Sequence, residues 1–106
     1  MSNPKTIASL FDEKPVQWNL RGDPHLWLEM REYFDDVPLP SSTDELVALI
    51  QQAFHTLTGH HISETEPFFT ERYSTGGMSS GMILPKFWRE KIIPLLVKRW
   101  QIERDN

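Results

Sequence analysis

Residues 42 to 59 carry start and stop signals for a helix at both ends, and this segment constrains the fold more than any other. Ser42-Thr43-Asp44-Glu45 has the spacing of a capping box, in which the serine oxygen accepts from the amide three residues on and the glutamate reaches back to the cap amide. Gly59 is the stop, because glycine enters the left-handed region at little steric cost. Between them apolar residues recur at helical spacing. With Leu46 as origin, Ile50 falls at about 40°, Ala53 at about 340°, Leu57 at about 20° and Phe54 at about 80°, while Gln51, Gln52 and His55 take the far side. This predicts an amphipathic helix ending at Leu57 or Thr58, with one stripe that must pack on something.

Two further helical patterns can supply that partner. Asp23 followed by Pro24 predicts a helix start, with the aspartate as cap and the proline at the first helical position, where its missing amide costs nothing. That helix runs to about Phe34, with Leu26, Met30, Tyr33, Phe34 and Trp27 on one face and Leu28, at about 200°, pointing away. Asp35 to Pro40 is an extended connector. Pro85 opens a last helix reaching about Ile102, and Pro94 inside it removes one backbone bond and predicts a kink. Trp88, Ile92, Leu95, Leu96 and Ile102 share a face there, yet Phe87, Ile93, Val97 and Trp100 lie on the others. A helix apolar almost all round belongs at the centre of a small bundle, or partly in a subunit interface.

The remaining segments are shorter. Asn3-Pro4 predicts a short helix through Phe11, ending before Lys14-Pro15. Val16, Trp18 and Leu20 alternate with polar residues, as an extended segment with one buried edge does. Ser63 to Glu66 repeats the cap spacing, and Phe68 to Tyr73 after it suits a short strand or one or two helical turns equally. Ser74 to Gly81 contains Gly76, Gly77 and Gly81 among small residues and reads as a loop with positive φ angles available.

With 106 residues the chain is long enough for one hydrophobic core and too short for two, so residues 1–106 are expected to form one domain. It has no cysteine, which removes disulfides, thiolate metal sites and cysteine nucleophiles together. Met1 to Leu10 lacks the basic and apolar blocks of a signal peptide, and no apolar run approaches the roughly 20 residues that a bilayer span requires. The expected setting is soluble and cytoplasmic, without a membrane partner. The fold class that follows is mainly α: a small helical bundle with a glycine-rich loop before a kinked C-terminal helix and at most a minimal β element.

Charge divides the chain. Residues 1–85 hold five Lys/Arg and twelve Asp/Glu, a net of −7, whereas residues 86–106 hold six and three, a net of +3. The expected result is a basic C-terminal segment docked on an acidic body. On a helical projection Lys86, Arg89, Lys91, Lys98 and Arg104 spread around the axis, so no phosphate-facing stripe forms, and the net negative charge repels a polyanion; nucleic acid is not an expected partner.

Several patterns imitate catalytic motifs. Gly77-Met78-Ser79-Ser80-Gly81 fits G-x-S-x-G, the nucleophile elbow, yet all four histidines precede Ser79 and Pro85 delays the helix that an elbow needs. Gly76 and Gly81 have phosphate-loop spacing, but Met82 and Ile83 stand where Lys and Ser/Thr would grip phosphate and magnesium. His55, His60 and His61 with Glu64 and Glu66 suggest a metal, but His55 and His60 are five apart with Gly59 between them; no metal and no cofactor are expected. His25 and Glu29, four apart, read as an ordinary helix pair, and Arg21-Gly22-Asp23 as a turn and a cap rather than an adhesion signal.

What remains is aromatic and methionine content. Four Trp, six Phe and two Tyr are more than a minimal core needs, and aromatic residues and Met are enriched where interfaces carry their energy. Leu28, Gly77, Met78, Ser79, Gly81 and Met82 are the candidate partner-binding residues. The expected function is a non-enzymatic protein-binding module, with an accessory subunit and a small acidic inhibitor as its two plainest forms. The alternatives are a small serine hydrolase using Ser79 or Ser80 with a histidine, and a homodimeric structural protein.

Overall fold

The computed structural model describes residues 5–12, 24–74 and 77–105, with 70–74 and 77–81 described by their backbone pairing. The Asn3-Pro4 start, the Lys14-Pro15 stop, the alternation at Val16, Trp18 and Leu20, the Asp23 cap and the Arg21-Gly22-Asp23 tripeptide lie outside those residues, as does the side chain of His25. The chain is mainly helical, with one two-stranded antiparallel sheet.

A single 3₁₀ turn, Ile7–Phe11, comes first and buries Ile7, Ala8, Leu10 and Phe11. Helix α1, Pro24–Tyr33, follows the predicted face: Leu26, Trp27, Met30 and the adjoining Phe34 are buried, while Leu28 points outward. Tyr33 departs from that face and is exposed, its ring set edge-on to Phe34 at 5.0 Å. The connector expected to be extended from Asp35 is so only in its second half: Phe34 to Asp36 form a turn, with Val37 N–H donating to the Phe34 carbonyl at 3.2 Å, and the chain beyond is clasped to the N-terminal segment, Ile7 N–H donating to the Val37 carbonyl at 2.8 Å.

Helix α2, Thr43–Thr58, starts and stops where the sequence places it. The Ser42 hydroxyl oxygen accepts from the Glu45 amide at 3.2 Å, and Gly59 takes φ 75°, its amide bonded to the His55 carbonyl at 2.8 Å. Only half of the predicted capping box forms, because the Glu45 carboxylate accepts from the Ser41 hydroxyl at 3.5 Å instead. Leu46, Ile50, Ala53 and Phe54 are buried.

The glycine-rich segment corrects the expected loop. Gly77 to Gly81 belong to a strand, and Phe68–Ser74 (β1) pairs antiparallel with Gly77–Ile83 (β2) from Phe68 opposite Ile83 to Ser74 opposite Gly77. Small residues are poor strand formers alone; here Phe68 of β1, packed on the core, and the buried Ile83 opposite it supply packing that the small residues of β2 lack.

The C-terminal rod, α3, is Pro85–Phe87, a π turn over Trp88–Ile92, and Ile93–Asp105. The interruption expected at Pro94 takes this form. A proline ring collides with the carbonyl four residues back, here that of Glu90, and widening the preceding turn relieves the collision; Ile93 N–H bonds back five residues to Trp88. The wider turn adds about one residue, which rotates everything after it by roughly 90°. Leu95 and Ile102, expected on the Trp88 face, accordingly turn off it, and Ile102 is exposed, while Ile93 turns in and Leu96 stays buried as expected.

Helix α2 packs against both α1 and α3, and the 3₁₀ turn against α1 and α3, around one core that includes Phe11, Phe34, Phe54 and Trp88. Indole and guanidinium donors satisfy backbone carbonyls across it: Trp27 Nε1 to the Phe11 carbonyl at 2.9 Å, Trp100 Nε1 to that of Pro40 at 2.9 Å, and Arg99 to that of Leu10 at 2.8 Å. The basic segment thus docks largely through carbonyl oxygens. Among the described residues, the ion pair that crosses to the N-terminal region has the opposite polarity to that expected, Glu103 of α3 pairing with Lys5.

Candidate functional site

Phe68 and Phe69 are adjacent aromatic residues entering a strand, and successive side chains of a strand point to opposite faces, so both cannot reach the core. Phe68 does. Its ring lies edge-on to Phe54 at 6.2 Å, Phe54 lies edge-on to Trp88 at 5.6 Å, and Ile83, directly opposite Phe68, is fully buried. Phe69 turns outward at 70% exposure, and Met82, its cross-strand partner, is 52% exposed. By the same parity Glu71 and Tyr73 of β1 and Ser80 and Met78 of β2 occupy outer-face register positions.

The base of this hairpin is clamped. Arg89, from the π turn of α3, donates to the carbonyls of Ile62 and Glu64 at 2.7 and 3.2 Å. Glu64 accepts from the His61 amide at 2.7 Å and meets His60 Nδ1 at 3.0 Å, and the His60 ring stacks on Phe68 with centroids 3.8 Å apart. Thr58 ties the turn below, accepting from the His60 amide at 3.0 Å and donating to the Phe54 carbonyl at 2.7 Å. The base of the hairpin is therefore tied to both α2 and α3.

Of the predicted partner-binding residues, Met82 is at the surface and Leu28 is 53% exposed on α1, a different element. Gly77, Met78, Ser79 and Gly81 form the strand that carries Met82, with Ser79 opposite Arg72 and Ser80 opposite Glu71. The G-x-S-x-G pattern thus lies within a strand rather than at a strand-to-helix elbow. Phe69 is the residue that sequence reasoning missed, and the Phe68-Phe69 doublet was its signal.

The structure does gather the three histidines at the end of α2, two of them, His60 and His61, bonded to Glu64. His55 and His61 stack at 4.2 Å and His60 pairs with the carboxylate, yet among the described residues no group of three or more His, Asp or Glu is arranged to hold a metal ion. The His60 hydrogen bond, then the His61 amide, hold the Glu64 carboxyl below its ordinary value. A depressed carboxyl pKa contributes stability that is present above the unfolded value and lost as pH falls through the folded one. Glu64→Gln should therefore lower stability at neutral pH, and the deficit should shrink in acid, as pH falls below the ordinary glutamate range and the wild-type carboxylate takes up its proton too. Urea unfolding at neutral and at acid pH checks this; an equal deficit at both contradicts the assignment.

A cleft of about 350 Å³ between the 3₁₀ turn and α1 is lined by Ala8 and by Thr6, Ser9, Asp12, Arg31, Glu32 and Asp35. Arg31 pairs with Asp12 at 3.1 Å, and the Ser9 hydroxyl donates to the Thr6 carbonyl at 2.7 Å, so these groups partner one another. The cleft presents no serine held against a base.

Comparison with protein-family models, with characterised proteins and with solved structures finds no match for the chain. No helix among the described residues is long and apolar enough to cross a membrane.

Proposed function

We propose that the protein is a non-enzymatic protein-binding module that presents the outer face of the β1–β2 hairpin to an apolar site with a basic rim. One observation carries the reading: Phe69 and Met82 stand side by side on the solvent face, 70% and 52% exposed, on a hairpin whose other face is anchored in the core. An exposed aromatic residue beside a methionine is the composition that interface centres favour. The partner's basic rim follows from charge. Residues 1–85 carry a net of −7, and Glu64 and Glu66 lead into β1, which itself contains Glu71. An accessory subunit, or an acidic inhibitor covering a basic site, uses such a surface.

Phe69→Ser with Met82→Ser should weaken binding of a purified partner, first recovered from native extract, by at least about tenfold, since each large apolar side chain at an interface centre contributes on the order of 1 kcal/mol or more. Both side chains are exposed, so the melting temperature should stay nearly constant, and Leu28→Ser should leave binding unchanged. Isothermal titration calorimetry decides: undiminished affinity in the double variant overturns this surface as the binding site.

A further inference from the structure

Each strand of a two-stranded sheet has one paired side and one open side, and the open side is a row of amides and carbonyls able to receive another strand. Among the described residues nothing pairs with the open side of β2. Proteins usually blunt such an edge with charge or proline. β1 has Glu71 and Arg72 at its middle; β2, Gly77-Met78-Ser79-Ser80-Gly81-Met82-Ile83, has neither a charged residue nor a proline.

The order of residues along β2 fits one occupant in particular. An antiparallel pairing centred on Ser80 sets Met82 opposite Met78 of a second copy and Gly81 opposite its Ser79, so methionine meets methionine, small residue meets small residue, and no charge faces its like. The geometry also leaves room for both bodies. The hairpin joins the core at its base, through Phe68 and Ile83, and antiparallel pairing brings Ile83 level with Gly77, at the far end of the other copy's strand. The two helical bodies then lie at opposite ends of the sheet. A lone hairpin is marginal, and four strands are the more stable unit.

We propose that β2 pairs with β2 of a second copy, antiparallel about a two-fold axis at Ser80, to form a four-stranded sheet. This uses the strand edge, not the outer face assigned above to a foreign partner, and requires no such partner. The two outer faces become neighbours on one side of the sheet, so each dimer displays two Phe69/Met82 pairs.

Sedimentation equilibrium of the purified chain from micromolar to millimolar concentration tests it. The expected result is a doubling of mass with concentration. Ser80→Lys, which opposes two ammonium groups at the axis, should raise the dissociation constant at least tenfold and recover in part at high salt. The chain has no cysteine, so Ser80→Cys introduces a lone thiol, which should oxidise to a disulfide-linked dimer faster than the exposed control Ser41→Cys. Phe69→Ser should leave the dimer intact, which separates this outcome from that of the foreign-partner reading. Thermal melts confirm that each variant folds. A wild-type chain that stays monomeric throughout overturns the proposal, as does a dimer indifferent to Ser80→Lys, or a monomer whose β2 amides gain exchange protection only when a different protein is added.

Discussion

Trp88→Ala should lower the stability of the fold by about 3–5 kcal/mol, the range for truncating a fully buried aromatic side chain. Trp88 has no exposed surface and sits in the π turn, where α3 meets the rest of the core. Its ring lies edge-on to Phe54, and Phe54 in turn holds Phe68, so the indole underlies the ring series that anchors the hairpin. Alanine leaves a cavity bounded by α2 and α3. Since domains of this size have only about 5–15 kcal/mol in total, the variant should be partly unfolded at physiological temperature. Urea denaturation followed by circular dichroism measures the change. Leu28→Ala, on the solvent side of α1, is the control and should move stability by no more than about 0.5 kcal/mol. A Trp88 deficit as small as the Leu28 one contradicts the placement of Trp88 at the centre of the core.

What the sequence made legible divides by the range of the interactions involved. Helix α2 is fixed by local chemistry: the Ser42 oxygen, the Gly59 backbone and a 3.6-residue apolar period all act within a few residues of one another, and its boundaries were readable. α1 was readable for the same reason, apart from Tyr33, whose ring stays at the surface against Phe34. The hairpin was not. Whether Gly77 to Gly81 form a loop or a strand depends on β1 being in place beside them, and glycine and serine carry little preference of their own. The outward Phe69 follows only once Phe68 is known to be the inward residue of a strand. In α3 the proline was visible and its consequence was not: a kink and a π turn both accommodate the missing amide, but only the π turn rotates Leu95 and Ile102 away from the core.

Arg89 ties the π turn itself to the candidate surface, and its removal should have the second largest effect. The guanidinium lies in the π turn and bonds the carbonyls of Ile62 and Glu64, two residues of the segment that delivers the chain from α2 to β1. Ile62 itself is buried, so water does not readily replace the lost donor. Hydrogen bonds to a charged group contribute about 1.5–3 kcal/mol, and Arg89→Met, which keeps most of the apolar stem, should lower stability by about 2–3 kcal/mol. Arg89→Lys should recover only part of this, because an ammonium on a shorter, flexible stem is not held where the rigid guanidinium fixes Nη1, the nitrogen that donates to both carbonyls. The loss should also be local before it is global. With the clamp gone, the amides of His61 and Glu64, now bonded to the Glu64 carboxylate and the His61 carbonyl, should exchange faster than those of α2, and the angle at which the hairpin presents Phe69 should loosen. Hydrogen exchange read by mass spectrometry across residues 59–67 separates this from uniform destabilisation. Unchanged exchange there, or a loss below about 0.5 kcal/mol, would mean that the hairpin is held by Phe68 and Ile83 alone.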